Sequence, residues 1–150
     1  MSGILARYAH FSFPPEYRAA NFVAGEPRLT WTSLFLEDFP NADIYLVGGT
    51  LRDSILGVLP SDVDIVIRNV TVKQLRAWLQ VHGAYDFVGK TFGTFKFVPH
   101  GCQSMSSIDI ALPRTESIGQ SHQSGRSDLD VKFDPRLTIK EDLSRRDFTI

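Results

Sequence analysis

Cysteine is almost absent from this chain, which limits the kinds of site and cross-link it can contain. The single thiol, Cys102, excludes an internal disulfide framework. Four scattered histidines and one cysteine do not provide the spacing that binds zinc. This composition fits a reducing, cytoplasmic setting.

Long apolar runs and a large excess of one charge are also missing. No apolar stretch approaches the roughly 20 residues needed to cross a bilayer, and the N-terminus lacks the basic and apolar regions of a signal peptide. We therefore expect no membrane contact. The formal net charge is -1, from 16 basic and 17 acidic residues, so no global field attracts nucleic acid. Any RNA binding must be local or come from other parts of the protein.

The length and hydrophobic content suffice for one compact domain with a hydrophobic core, because 43% of the 150 residues are hydrophobic. Residues 1–27 mix aromatic residues with prolines and show no sustained period, so we expect an arm. Residues 29–39 have near-helical spacing and predict a helix that covers a sheet. We assign residues 1–41 to this N-terminal arm and helix, and residues 42–150 to the main domain.

The most informative stretch begins with a short apolar run at residues 44–47, rich in branched and aromatic side chains, which predicts a buried strand. Gly48 and Gly49 end this run abruptly, and Thr50 and Asp53 fit the capping box of a short helix. Two residues without a Cβ at a helix N-terminus favour an anion such as a triphosphate, because backbone N–H groups and the helix dipole point at it. The pattern predicts a phosphate-binding turn.

Three residues extend this prediction. Arg52 adds a fixed positive charge, and its forked donors suit phosphate. Gly57 is a suitable C-cap and Pro60 prevents continuation, so the helix should be only about two turns long.

Asp62 and Asp64 follow, and residues two apart on a strand project from the same face. Val63, Ile65 and Ile67 then face a core. Two adjacent carboxylates are unfavourable unless something neutralises them, and a divalent cation bound through oxygen does so, with Mg²⁺ the natural occupant. The alternative is an amphipathic strand whose aspartates merely face solvent. That interpretation is the better one for an isolated Asp-x-Asp, but the glycine turn just before it favours the metal site.

Later segments predict further elements around this site. Residues 71–82 are typical of an amphipathic packing helix, and residues 85–88 and 95–98 predict short strands. Residues 107–112 alternate in hydrophobicity and place Asp109 on the polar face of a strand. Asp109 is either a third carboxylate beside Asp62 and Asp64 or an ordinary solvent-facing residue. Residues 116–130 are rich in Ser, Gln and Gly and predict a mobile surface loop.

The end of the chain predicts one more helix. Thr138 and Glu141 form a capping box, and we expect the helix to continue to Arg145 or Arg146. Arg145 with Glu141, and Arg146 with Asp142, have the spacing of i, i+4 pairs. Asp142 and Asp147 are expected to orient the arginines.

Two motifs together resemble the nucleotidyltransferase head of the class II CCA-adding enzymes and bacterial poly(A) polymerases. The first runs Leu-Val-Gly-Gly-x-x-Arg-Asp, then Leu-Gly, then Asp-x-Asp, and is matched by Leu46, Val47, Gly48, Gly49, Arg52, Asp53, Leu56, Gly57, Asp62 and Asp64. The second, Asp-Leu-x-Arg-Arg-Asp-Phe-Thr-Ile, is matched by residues 142–150. The resemblance covers roughly residues 42–150. It implies an α+β, polymerase beta-like head with a small mixed or antiparallel sheet packed against helices.

The resemblance also implies a reaction, the magnesium-dependent transfer of CMP or AMP from CTP or ATP to an RNA 3′ end, most simply CCA addition to tRNA. The family has an acidic residue in the strand equivalent to that of Asp109, and it assigns the position of Arg146 to the bound nucleotide. The expected catalytic residues are Asp62, Asp64 and Asp109, the metal ligands are Asp62 and Asp64, and the nucleotide-binding residues are Gly48, Gly49, Arg52 and Arg146.

Three alternatives remain at this point. A poly(A) or A-only polymerase has the same head, and the residues that distinguish it lie beyond Ile150. A small stand-alone nucleotidyltransferase would share the glycine and Asp-x-Asp parts but not the Arg-Arg-Asp-Phe-Thr ending. A catalytically silent nucleotide-binding module is the third. The resemblance would place neck, body and tail domains after Ile150, so we expect a fragment of a longer protein, or a chain that works with a partner.

Overall fold

The computed structural model describes residues 14–88, 93–118 and 129–146. Its centre is a five-stranded sheet with strand order β1-β2-β5-β4-β3. The strands are β1 (Asp43–Leu46), β2 (Val63–Arg68), β3 (Gly83–Val88), β4 (Thr94–Pro99) and β5 (Ile108–Ala111). Strands β2 and β5 are parallel, whereas the other neighbouring pairs are antiparallel. The predicted α+β fold with a small mixed sheet is therefore confirmed.

Helices surround this sheet, and a smaller sheet lies beside it. The helices are α1 (Pro15–Gly25), α2 (Thr32–Asp38), α3 (Gly48–Leu56), α4 (Val72–His82) and α5 (Ile139–Leu143), with a 3-10 turn at Pro27–Leu29. Strands β6 (Arg114–Ile118) and β7 (Leu129–Phe133) form the second sheet. None of the helices in the described part of the chain is long and apolar enough to span a bilayer.

The core lies on one face of the five-stranded sheet. Val63, Ile65 and Ile67 of β2 enter it, as their alternation with Asp62 and Asp64 predicts. Completely buried side chains from neighbouring elements complete it, among them Phe35, Leu75, Leu79, Phe95, Phe97, Ile108 and Ile110. Burying a large apolar side chain contributes about 1.5–3 kcal/mol. This layer therefore fixes the strands that carry the acidic residues.

Residues 15–25 form a helix that their sequence pattern does not predict. Helix α1 begins at Pro15, a residue favoured in the first helical turn, and lies against α3, where Arg18 Nη1 donates to the Ile55 carbonyl oxygen at 2.8 Å. The helix predicted over residues 29–39 is found as the 3-10 turn followed by α2. Residues 1–13 of the predicted arm lie outside the described residues.

The loop predicted over residues 116–130 is wrong at both ends. Strands β6 and β7 pair antiparallel from Arg114 opposite Phe133 to Ile118 opposite Leu129. A polar composition over residues 116–130 hid this ladder, although residues 129–133 alternate between apolar and polar side chains as a strand does. Residues 119–128, the middle of the predicted loop, lie outside the described part of the chain.

Candidate active site

The glycine turn lies directly against the acidic strand. Strand β1 ends at Leu46 and α3 begins at Gly48, whose φ of 59° is in the left-handed region. A Cβ added at Gly48 would lie 3.9 Å from Asp64 Oδ2. The Val47 backbone N–H donates to the Asp64 carbonyl oxygen at 3.1 Å, which fixes the turn to β2. The main chain at the start of α3 therefore lies next to the Asp64 carboxylate.

Thr50 links this helix to the strand, so the predicted capping box of Thr50 and Asp53 is wrong. The helix is N-capped by Val47 without a side-chain hydrogen bond. The buried Thr50 hydroxyl instead accepts the Asp64 backbone N–H at 2.7 Å, and its own proton can reach the Asp62 carbonyl oxygen at 3.2 Å or Asp64 Oδ2 at 3.3 Å. Thr50 therefore bonds to the β2 segment and does not cap its own helix. The predicted C-cap is confirmed, because Gly57 adopts a φ of 74°.

The two glycines differ in backbone conformation, which gives a matched pair of substitutions. We expect Gly48→Ala to lower the free energy of unfolding by about 1–2 kcal/mol, because its left-handed φ brings a Cβ close to the backbone. Gly49→Ala should be neutral or stabilising by up to about 1 kcal/mol, since Gly49 lies within α3 at negative φ and its Cβ would meet only ordinary contacts. Urea denaturation measures both changes. Equal destabilisation by the two substitutions would contradict the conformation assigned to this turn.

Three carboxylates come together beside the turn, and we call Asp62, Asp64 and Asp109 the acidic cluster. Asp64 and Asp109 are directly opposite each other in the parallel pair of β2 and β5, and Asp62 immediately precedes β2. The pKa of Asp64 is raised, chiefly by burial and then by the negative charge of Asp109, with a smaller contribution from Asp62. The Thr50 hydrogen bond and the positive charge of Arg146 act in the opposite direction. These groups therefore share one electrostatic environment.

Lys96 is a member of this environment that sequence reasoning missed. Its Nζ lies 2.8 and 3.0 Å from the two carboxylate oxygens of Asp109. The pKa of Lys96 is raised, first by this hydrogen bond and further by the charges of Asp109, Asp62 and Asp64. Only the β4–β5 register places Lys96 opposite Asp109, and register cannot be read from residue spacing.

The chemistry of the acidic cluster suits a hard divalent cation at two of its three carboxylates. Within the described residues, no three acidic, histidine or cysteine side chains are already placed to hold a metal ion together, and Asp109 is paired with Lys96. In that same part of the chain, Asp62 and Asp64 form no ion pair with a basic side chain. Carboxylate oxygens without a cationic partner are the donors that Mg²⁺ prefers. Asp62 and Asp64 therefore fit such an ion.

Arg52 lies next to the glycine turn. A Cβ at Gly49 would be 3.5 Å from Arg52 Nη2, so the guanidinium covers that glycine. Arg52 Nε donates to Asp53 Oδ1 at 2.7 Å, and about half of the arginine side chain remains exposed. The sequence pattern predicted Arg52 near the glycine turn. In the structure Arg52 lies beside Gly49, and its ion pair with Asp53 holds it there.

Asp142 organises the arginines at the end of α5. Its carboxylate is completely buried and bonds Arg145 Nη2 at 2.6 Å and Arg146 Nη2 at 2.9 Å. The predicted pair of Arg145 with Glu141 is therefore wrong, because Glu141 is occupied by its capping box with Thr138, which is confirmed. The i, i+4 pair of Arg146 with Asp142 is present. Helix α5 ends at Leu143, earlier than predicted, and a turn follows it in which the Arg146 backbone N–H donates to the Leu143 carbonyl oxygen at 3.0 Å.

The structure thus gathers most of the residues singled out from the sequence into one region. Gly48, Asp62, Asp64, Asp109 and Arg146 interact directly or through their charges, and Gly49 and Arg52 adjoin them. A glycine turn, an acidic strand pair and an arginine-bearing helix end on an α+β sheet define the head-domain class of nucleotidyltransferases. The family model described as the poly(A) polymerase head domain matches residues 44–150, and the chain belongs to this family.

Individual relatives agree with this assignment. The multifunctional CCA protein of Vibrio parahaemolyticus is 37% identical over 107 residues, which is 71% of this chain and 23% of that protein. The Thermotoga maritima CCA-adding enzyme complexed with tRNA is 26% identical with a TM-score of 0.52, over 87% of this chain and 27% of that one. A complex of CCA-adding enzyme with CTP is 25% identical with a TM-score of 0.55, over 91% and 29%. The chain therefore spans about a quarter of the length of these relatives.

Proposed function

We propose that this chain is the catalytic head of a magnesium-dependent RNA nucleotidyltransferase, and that its reaction is CCA addition at the 3′ end of tRNA. The observation that carries this proposal is the proximity of the glycine turn to the Asp64 carboxylate, which supports a phosphate-binding helix end beside a metal-ligating carboxylate. The relatives support the choice of reaction, because they are named as CCA proteins and CCA-adding enzymes, one complexed with tRNA and one with CTP.

The substrates define the chemistry. The oxygen of the RNA 3′ hydroxyl attacks the α-phosphorus of CTP or ATP and its proton passes to solvent, while the bond from that phosphorus to the bridging oxygen breaks and pyrophosphate leaves with the electron pair. Asp62 and Asp64 would hold magnesium, which when bound supplies the positive charge that activates the hydroxyl and balances the triphosphate. Asp109 completes the acidic cluster. No covalent intermediate with a side chain is needed.

The remaining residues orient the nucleotide. Backbone N–H groups of Gly48 and Gly49 at the start of α3 are unpaired within the helix, so they can donate to the phosphates. Arg52, held by Asp53, adds a charge beside the same turn. Arg146, held by Asp142, contributes the second guanidinium.

A transfer assay tests the proposal. The chain is incubated with Mg²⁺, labelled CTP or ATP, and a tRNA that lacks its terminal CCA. Label transferred to the RNA by the wild type and lost in Asp62→Ala supports the proposed reaction. Magnesium-dependent nucleotide binding without transfer would contradict catalysis and indicate a nucleotide-binding module. Binding that is independent of magnesium, or absent, would contradict the site itself.

A further inference from the structure

Arg28 lies outside residues 44–150, the part of the chain that matches the family, yet its side chain is buried beside the acidic cluster. Two of its nitrogens form a fork with Glu26, from Nε to Oε1 at 2.7 Å and from Nη2 to Oε2 at 2.9 Å. This bidentate pair uses one side of the guanidinium and holds it in a fixed plane. The third nitrogen, Nη1, is then directed at other parts of the chain.

Nη1 of Arg28 contacts the two segments that lead into the acidic strands. It donates to Ser106 Oγ at 2.6 Å and reaches the Ser61 carbonyl oxygen at 3.4 Å. Ser61 immediately precedes Asp62, and Ser106 lies just before β5, which carries Asp109. Because β2 and β5 are parallel, their N-terminal ends meet at one edge of the sheet, where a single guanidinium can bridge them.

The backbone around Arg28 is itself anchored. Leu29 and Trp31 follow it into the hydrophobic core, where both are more than nine-tenths buried. The Cys102 thiol lies 3.7 Å from the Pro27 carbonyl oxygen, a further contact between this segment and the connection before β5. Arg28 therefore reaches the strand ends from a segment that is packed into the core.

We propose that Arg28 is a positioning residue for the metal site, setting where Asp62 stands relative to Asp109. The inference rests on the proposed function, since it requires a divalent cation at the acidic cluster. Arginine suits this role because its fork engages Glu26 while a third nitrogen remains for the strand ends, which the compact ammonium of lysine cannot reproduce. Residues 26–31 then contribute to the metal site of the head, although they precede residues 44–150 that match the family.

The test compares Arg28→Met and Arg28→Lys with Arg76→Met, which removes an exposed arginine on α4. Mn²⁺, which replaces Mg²⁺ at oxygen sites, is titrated into the full chain, and the free ion is followed by electron paramagnetic resonance. We expect Arg28→Met to weaken Mn²⁺ binding about 10-fold or more, as for other groups that orient metal ligands, and Arg28→Lys to recover only part of the loss. Arg76→Met should bind as the wild type does.

Two further measurements keep the outcomes distinct. Ser106→Ala removes one partner of Arg28 on an exposed connection, so it should weaken Mn²⁺ binding about 3-fold even if the Arg28 variants do not fold. If Arg28→Met, Arg28→Lys and Ser106→Ala lower the melting temperature but leave the Mn²⁺ affinity unchanged, the positioning role is overturned while the proposed function stands. Failure of the wild type to bind Mn²⁺, or binding that survives in Asp62→Ala, would overturn the proposed function and this inference with it.

Discussion

Replacing Asp64 with asparagine is expected to reduce nucleotide transfer by about 10³-fold or more, equivalent to roughly 4 kcal/mol of transition-state stabilisation. The variant keeps the shape of the side chain and the main-chain bond to Thr50, but it loses the charged oxygen that lies against Gly48. Single-turnover transfer of labelled nucleotide to tRNA measures the loss. Wild-type transfer by the variant would contradict the role of Asp64 as a metal ligand.

The same substitution should make the metal-free protein more stable at neutral pH. The pKa of Asp64 is raised above its ordinary value of 3.8, mainly by burial and then by Asp109. A raised carboxyl pKa stabilises the fold fully only below about pH 3.8, and this contribution is lost as the pH rises through the folded-state value. In urea denaturation with EDTA, the stability of Asp64→Asn relative to the wild type should therefore increase as the pH rises above 3.8. Added Mg²⁺ should stabilise the wild type and not the variant.

Asp86→Asn is the matched control for both measurements. Asp86 lies on β3 opposite Lys96, in the same transverse row of the sheet as Asp64 and Asp109. Three strand spacings separate it from Asp64, or about 14 Å, which is beyond the reach of a shared ligand. Its loss should leave transfer and the response to Mg²⁺ unchanged. A comparable loss of transfer would show that the whole row, and not the acidic cluster, governs activity.

The sequence alone predicts most of the fold because its signals are local and agree with one another. The alternation around Asp62 and Asp64 specifies which face of β2 is buried, and Gly57 ends α3 where the stop signals place it. The small sheet of β6 and β7 escaped prediction because the polar composition of residues 116–130 outweighed the alternation of apolar and polar residues over 129–133. Helix α1 escaped because its apolar positions follow no sustained period.

Residue patterns alone predicted the site only where one segment carries several of its parts, whereas Asp109 and Arg146 were assigned through the family resemblance. Residues 48–64 contain both the glycine turn and two carboxylates, so their proximity follows from a short connection. Lys96, Thr50 and Arg28 depend on strand register and on tertiary contacts between segments far apart in the chain. Local reasoning placed Thr50 in a helix cap, whereas an N–H of the neighbouring strand offered a better-placed donor. The partner of Thr50 therefore depends on a tertiary contact, which residue spacing does not specify.

Asp142 is the residue on which both arginines of the C-terminal motif depend. Its side chain is completely inaccessible to solvent, whereas those of Arg145 and Arg146 are 20% and 26% exposed. It also accepts the Arg114 backbone N–H at 3.4 Å, which connects α5 to β6. A neutral amide in its place can accept from only one guanidinium with its oxygen, and its NH₂ group would face the other.

We therefore expect Asp142→Asn to lower the free energy of unfolding by about 3 kcal/mol, the lower end for a broken buried ion pair, because both arginines retain some water. Thr138→Ala, which removes the cap of the same helix, should cost only about 1 kcal/mol and so controls for general damage to α5. The KM for CTP should rise in Asp142→Asn, because Arg146 loses its anchor, and should stay unchanged in Thr138→Ala. Equal losses of stability with unchanged KM in both variants would show that Asp142 supports only the helix, and that Arg146 needs no anchor to meet the nucleotide.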